Sequence, residues 1–276
     1  MTALYTSAVW SWGGLSGAEL LASEDAARVF GVTNAALAIT RLFRRDVRSL
    51  RHGLLQRHAA IDHVVESSGA RRVVEIAAGL SRRGVARTAD PAASHVEIDL
   101  APMIAHKRRL LDRTEAGRAA LARPNLRLVA GDVTEIDLAG AAGSGGPDLV
   151  IAEGLFMYLD PERQRALWRK VRALLGDRPL TFVFDLVPAC EQPAPGVLGR
   201  ALGWLMRRFT GGRGFERDAR TRDDIARELR DAGFDEVTMI EPGAIAREWN
   251  LPHPEVPTAQ LLFVARALPA SGGVTI

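Results

Sequence analysis

The sequence predicts an open, doubly wound α/β sheet, mostly parallel with an antiparallel final strand, preceded by an N-terminal helical cap and carrying a lid insertion. Three observations lead there. Short β-branched runs alternate with helical stretches from residue 71 to residue 186, the rhythm of right-handed crossovers in a parallel sheet. Those runs are predominantly apolar, as strands covered on both faces are. The last two strand-like runs, Glu236–Ile240 and Gln260–Ala267, are joined by a proline-rich loop with no clear helix, which fits antiparallel neighbours.

In chain order, residues 1–48 read as the cap, with Trp10 and Trp12 among small and apolar types and one or two short amphipathic helices over Leu15–Phe30. Residues 49–276 read as the α/β domain. Its first helix runs over Val47–Ser68, where Leu50, Leu54, Leu55, Ile61, Val64 and Val65 recur at helical spacing and Gly69 stops the turn. Strands follow at Arg71–Ala77, Ser94–Asp99, Leu126–Ala130, Asp148–Ala152 and Pro179–Leu186. Between them lie a helix after Gly79, a long basic helix over Pro102–Leu121, a glycine-rich loop over Gly140–Gly146, and a helix over Pro161–Leu175 opened by proline. Residues 187–218, rich in Pro, Gly and Arg, interrupt the rhythm and read as a lid. A helix over Thr221–Ala232, capped by Thr221 and ended by Gly233, restores it.

The chain has 276 residues, enough for one hydrophobic core with an appendage. A mean hydropathy near zero excludes a disordered or fibrous chain. The single cysteine, Cys190, excludes a disulfide framework and a cysteine-based zinc site, so no metal is expected. No apolar run approaches the roughly 20 residues that span a bilayer, and the N-terminus lacks a basic, then apolar, leader pattern. A cytoplasmic protein without a membrane partner is therefore expected. The pI of 9.6 reflects a net charge of only +3, and its arginines are set among apolar residues at helical spacing. This pattern reads as solvated helix faces, not a nucleic-acid surface. A small-molecule substrate is expected, and oligomerisation is left open.

Chemistry should lie at the carboxyl ends of the strands, where open α/β sheets bind ligands. Glu75, Ala77, Ala78 and Gly79 end the first, with small residues that let backbone approach a ligand. Asp99 ends the second, 20 residues beyond Gly79, the spacing at which a carboxylate takes ribose hydroxyls. Gly131-Asp132 follows the third and Glu153 ends the fourth. A pyrophosphate wants backbone N–H groups and positive charge; a carboxylate-lined mouth suits a ribose, an adenine and an ammonium. S-adenosylmethionine has those parts and no phosphate. A nicotinamide oxidoreductase shares the glycine turn and distant acid, but the first and third glycines of G-x-G-x-x-G are missing.

The motifs Val73-Val74-Glu75-Ile76-Ala77-Ala78-Gly79-Leu80, Val96-Glu97-Ile98-Asp99-Leu100 followed by Lys107, Gly131-Asp132, and Glu153-Gly154-Leu155-Phe156-Met157-Tyr158-Leu159 resemble a family. It is the class I S-adenosylmethionine-dependent methyltransferases, specifically the leucine carboxyl methyltransferase-like group that includes bacterial O-methyltransferases of polyketide and other natural-product pathways. The resemblance covers roughly residues 50 to 267. It implies a Rossmann-like fold and that Arg57 clamps the methionine carboxylate, Gly79 lies under the cofactor, Asp99 takes the ribose, Asp132 and Val133 flank the adenine, and Glu153 faces the methionine end. Two positions depart from the family: Ala77 stands where glycine is usual, and Ser81-Arg82-Arg83 replaces Asp-Thr-Arg.

Transfer to a carboxylate needs no base, whereas a hydroxyl or enol would need one. His253 and Tyr158 are the candidates to test first, and no catalytic base is assigned. Trp10, Trp12, Tyr158, Trp204 and Trp249 are candidate substrate contacts. N- or C-methylation, a non-methylating reaction, and an inactive regulatory fold stay open.

Overall fold

The computed structural model describes residues 2–43, 49–176, 178–191, 219–256 and 258–269. Seven strands form one sheet: β1 (Arg72–Ile76), β2 (Ser94–Asp99), β3 (Leu126–Ala130), β4 (Leu149–Ala152), β5 (Leu180–Asp185), β6 (Glu236–Ile240) and β7 (Leu262–Ala267). The spatial order is β3-β2-β1-β4-β5-β7-β6. Pairing is parallel from β3 to β5, and β7 runs antiparallel between β5 and β6. The doubly wound class with an antiparallel final strand is what the alternation and the last connection predicted. Strand order reverses between β1 and β4, which sets the ligand mouth at their carboxyl ends.

Helices α1 (Thr2–Trp12), α2 (Glu24–Phe43) and α3 (Leu50–Ser67) precede the sheet. Between strands lie α4 (Arg83–Arg87), α5 (Ala101–Asp112), α6 (Glu115–Leu121), α7 (Leu138–Ala142) and α8 (Pro161–Arg172), followed by α9 (Arg222–Asp231) and α10 (Pro242–Ile245). Among the described residues no helix is long and apolar enough to cross a membrane.

Five elements differ from the sequence reading: α2 runs on to Phe43, the short α10 stands in the connection read as helix-free, and three further differences follow. The basic helix over 102–121 is two helices, because the Thr114 side chain caps α6 by accepting from the Gly117 N–H. The break also needs Gly117, where a Cβ would collide with the Leu111 carbonyl. Part of the expected loop over 140–146 is helical, since Asp137 caps α7. Helix α1 escaped notice because it is buried along most of its length, Tyr5 through Trp10, and so lacks an amphipathic stripe. Of the insertion, residues 192–218 lie outside the described residues, and with them Trp204.

The cap is built into the molecule. Trp10, Ala18 and Leu21 share one apolar cluster with Leu80, Val85, Leu110, Leu111 and Leu126 of the α/β domain. On the same face of the sheet α3 packs Ile61, Val64 and Val65 against Val73, Ile151 and Val183, which fixes the helix that carries Arg57. Phe156, within the turn after Glu153, packs with Phe182, Phe184 and Trp168 in the core.

After β1 the chain turns sharply, with Ala77 at φ 51° and Gly79 at φ 54°. Left-handed backbone costs an L-residue about 1 kcal/mol, so the usual glycine at position 77 has a conformational reason and alanine holds strain. Ala77→Gly exchanges that strain for chain entropy of similar size and should leave stability within about 0.5 kcal/mol or raise it. Ala119→Gly, at an exposed position of α6, should cost about 1 kcal/mol. Urea unfolding checks both; an equal loss at the two positions would contradict strain at Ala77.

Candidate functional site

The carboxyl ends of β1, β4 and β5 meet the middle of α3 in a buried network of charge. Arg83 lies at its centre, on the first residue of α4. Its Nε donates to Asp62 Oδ1 at 2.6 Å, and its Nη1 donates to Glu75 Oε1 at 2.9 Å and to Glu153 Oε2 at 2.8 Å. Arg57 donates through Nε to Glu153 Oε1 at 3.0 Å and through Nη1 to Asp185 Oδ2 at 2.8 Å. Arg82 also pairs with Asp62. Arg57, Glu75 and Glu153, each singled out in the sequence, thus lie in one network, and Arg83, Asp62 and Asp185 join them unforeseen.

Electrostatics follow from that packing. Burial alone would raise the Glu153 carboxyl, but His58, Arg83 and Arg57 hold it well below its ordinary value. Glu75 is held down to about 2: burial opposes this, and Arg83 and His95 outweigh it. His58, fully buried, is pushed down to about 3, first by burial and then by Arg83. Arg83 Nη2 and Glu153 Oε2 each lie 2.8 Å from His58 Nδ1, while His58 Nε2 is buried with no hydrogen-bond partner. The Trp10 ring covers the imidazole at 4.4 Å between centroids. This histidine–carboxylate pair spans 95 residues of sequence, so no local motif announced it.

The turn after β1 is tied to β2. Asp99 Oδ2 accepts from the Gly79 N–H at 2.6 Å and Oδ1 from the Leu100 N–H at 2.7 Å. Burial raises the Asp99 carboxyl, and these two donors oppose the rise. Asp132 accepts from Thr134 N–H and Oγ1, and Val133 beside it is buried. Helix α1 roofs the mouth: a Cβ on Gly79 would stand 3.6 Å from Ala3, and Thr2 Oγ1 lies 3.5 Å from the Tyr158 hydroxyl.

Other candidates lie apart from this network. His253, at φ 54°, stacks on Trp12 at 5.4 Å and meets His52 edge-on, while its carbonyl accepts from Gln56 Nε2. Trp249 stacks on His63 at 4.1 Å, over a groove lined by Val64, Ser67, Thr181, Glu236 and Thr238, toward the opposite ends of β5 and β6. Of the sequence-proposed aromatic contacts, Tyr158 lies beside Thr2 at the mouth, whereas Trp10 is buried against His58. Glu75, His95 and Glu97 place one possible metal-ligand atom each within 4.8 Å of the others. Their carboxylates already hold Arg83 and Lys107, which supply the positive charge a metal ion would bring.

The family model described as leucine carboxyl methyltransferase matches residues 16–172. A protein of Mycobacterium marinum that carries the name of an S-adenosyl-L-methionine-dependent methyltransferase is 35% identical over 184 residues, 62% of this chain and 56% of that protein. The chain therefore spans little more than half the length of this relative. An O-methyltransferase family protein from Burkholderia thailandensis superposes with a TM-score of 0.53 at 15% identity, covering 79% of this chain and 57% of that one. PigF, solved with SAH, gives 0.52 at 18% identity, covering 77% and 56%. At such identities the likeness shows the fold.

The depressed basicity of His58 has a measurable sign. Between pH 6.5, its ordinary value, and about 3, the unfolded chain binds one more proton there than the folded chain, so its contribution makes stability fall as pH falls. The slope is on the order of 1 kcal/mol per pH unit. Urea unfolding at pH 7 and pH 5 should show His58→Gln losing less stability than the wild type over that interval. Equal losses would contradict a buried, neutral His58.

Proposed function

The chain belongs to the leucine carboxyl methyltransferase family, and on that premise we propose that its strand-end mouth binds S-adenosylmethionine and directs the methyl group to an oxygen of a small, partly apolar, natural-product-type molecule. The observation that carries the reading is the convergence of Arg57, Glu75 and Glu153 beside the left-handed Gly79 turn, with Asp99 fastened to that turn. The mouth fits the cofactor chemically. It offers carboxylates to a ribose and an ammonium, one arginine to a carboxylate, and a glycine turn for close approach; its carboxylates would repel rather than hold a pyrophosphate.

In this reading Asp99 takes the ribose hydroxyls, Asp132 and Val133 flank the adenine, and Gly79 lies beneath the nucleoside. Arg57, whose charge is secured by Asp185 and Glu153 against the cost of burial, meets the methionine carboxylate. Glu153, kept ionised by its three partners, faces the ammonium. S-adenosylmethionine supplies a methyl group on a sulfonium, a good leaving group, so the protein's work is alignment and exclusion of water. Helix α1 performs the second task over Gly79 and Tyr158. An acceptor carboxylate needs no base; for a hydroxyl acceptor, Tyr158 is the candidate at the mouth.

Thermal melts with S-adenosylmethionine, S-adenosylhomocysteine and NAD should show a rise with the first two alone, and a turnover assay over candidate acceptors separates an enzyme from an inactive binder. Asp99→Ala should weaken S-adenosylhomocysteine binding about tenfold or more, the loss of a charge-assisted pair. Arg57→Lys should also bind worse, because an ammonium cannot replace a guanidinium fork. Calorimetry showing unchanged affinity in both variants would sink the assignment.

A further inference from the structure

Glu97 and Lys107 are fully buried, and the Lys107 ammonium donates to Glu97 Oε2 inside the layer between β2 and α5. A buried ion pair is poor evidence of stabilisation, since apolar residues of similar volume often serve a core as well or better. Nor is this core short of apolar partners: Ile104, Leu110 and Leu111 of the same helix are all buried. The pair has a second connection. Lys107 Nζ also donates to the Ser81 carbonyl at 2.5 Å, 26 residues earlier, at the end of the turn that begins with Ala77.

Local support for that turn is limited to the Ser81 N–H on the Ala78 carbonyl and the Arg83 N–H on the Ser81 hydroxyl. Helix α4, which follows it, is five residues long, and its N-cap residue Arg82 makes no side-chain capping bond. Most of its bonds come from outside, from the Ile98 carbonyl on the Ala78 N–H, Asp99 on the Gly79 N–H, Glu75 on the Ser81 hydroxyl, and Lys107 on the Ser81 carbonyl. Ala77 is strained in the left-handed region, so the turn would relax unless its far end were fixed. Glu97 also touches the next segment: a Cβ on Gly84 would collide with Glu97 Oε1, so the carboxylate lies against the start of α4.

Resting on the cofactor reading above, we infer that Lys107 and Glu97 act as a clasp that sets the conformation of the Ala77–Ser81 turn, making Lys107 a positioning residue for cofactor binding. Lys107 touches no reacting atom. It acts through the Ser81 carbonyl on the backbone beneath the nucleoside.

The test replaces the whole clasp in the full-length chain, as Glu97→Leu/Lys107→Met and, with the packing reversed, Glu97→Met/Lys107→Leu. Ile104→Val, on the same helix but off the turn, controls for lost core packing. Melting temperature, S-adenosylhomocysteine affinity by calorimetry and, with an acceptor, the separate kcat and KM for S-adenosylmethionine are measured. At least one double variant should melt within about 5 °C of the wild type, while its Kd rises about tenfold or more. KM should rise with it and kcat change less; Ile104→Val should keep wild-type affinity. A folded double variant binding within about twofold of wild type would overturn the inference, as would failure of both double variants to fold, since the pair would then belong to the core alone. A wild type that binds no S-adenosylhomocysteine removes the cofactor reading itself, and the inference with it.

Discussion

Everything at the mouth depends on one guanidinium, Arg83, which bonds carboxylates from α3, β1 and β4 at once. With Arg57 and Arg82 it makes three cations facing the four carboxylates of Asp62, Glu75, Glu153 and Asp185. Removing one partner from such a network strands a buried charge at a cost of about 3 to 5 kcal/mol, so the helix carrying Arg57 and the strand ends are locked in one arrangement. The excess of acids over bases also sets the character of the site. It favours a ligand that brings positive charge, as a sulfonium with an ammonium does, whereas His58 at its edge stays neutral because burial and the Arg83 guanidinium outweigh the pull of Glu153.

Much of this was legible in the sequence, because strand ends in an α/β sheet can be located from apolar runs alone. Glu75, Asp99, Asp132 and Glu153 each stand at or just beyond the end of such a run, and the parallel pairing of β1 with β2 and β4 brings their neighbourhoods together. The family resemblance likewise marked Arg57. What stayed hidden was partnership. Nothing local links His58 to Glu153, or Arg57 to Asp185 across 128 residues, since such contacts arise only when α3 docks on the sheet. Helix α1 was missed for the opposite reason: buried all round from Tyr5 through Trp10, it has no polar face to give its period away. The aromatic residues proposed for a substrate pocket divided by packing, with Trp10 over His58 and Trp249 over His63 on another face.

The two departures from the family pattern acquire physical meaning together. Ala77 introduces backbone strain at the turn under the proposed cofactor, and Ser81 keeps that turn connected, through its hydroxyl to Glu75 and through its carbonyl to Lys107. A strained turn persists only when its surroundings over-determine it. Here the surroundings are charged groups on β1, β2 and α5, so the same buried charges that shape the mouth also hold its most strained segment.

The most direct test of the central claim is a crystal structure of the chain with S-adenosylhomocysteine. The account expects the ribose hydroxyls within hydrogen-bond distance of Asp99, the adenine between Asp132 and Val133, and the homocysteine carboxylate on Arg57, with Arg83 still bonded to Glu75 and Glu153. A nucleoside bound away from the Gly79 turn, or a carboxylate held by another group while Arg57 keeps both its carboxylate partners, would contradict it.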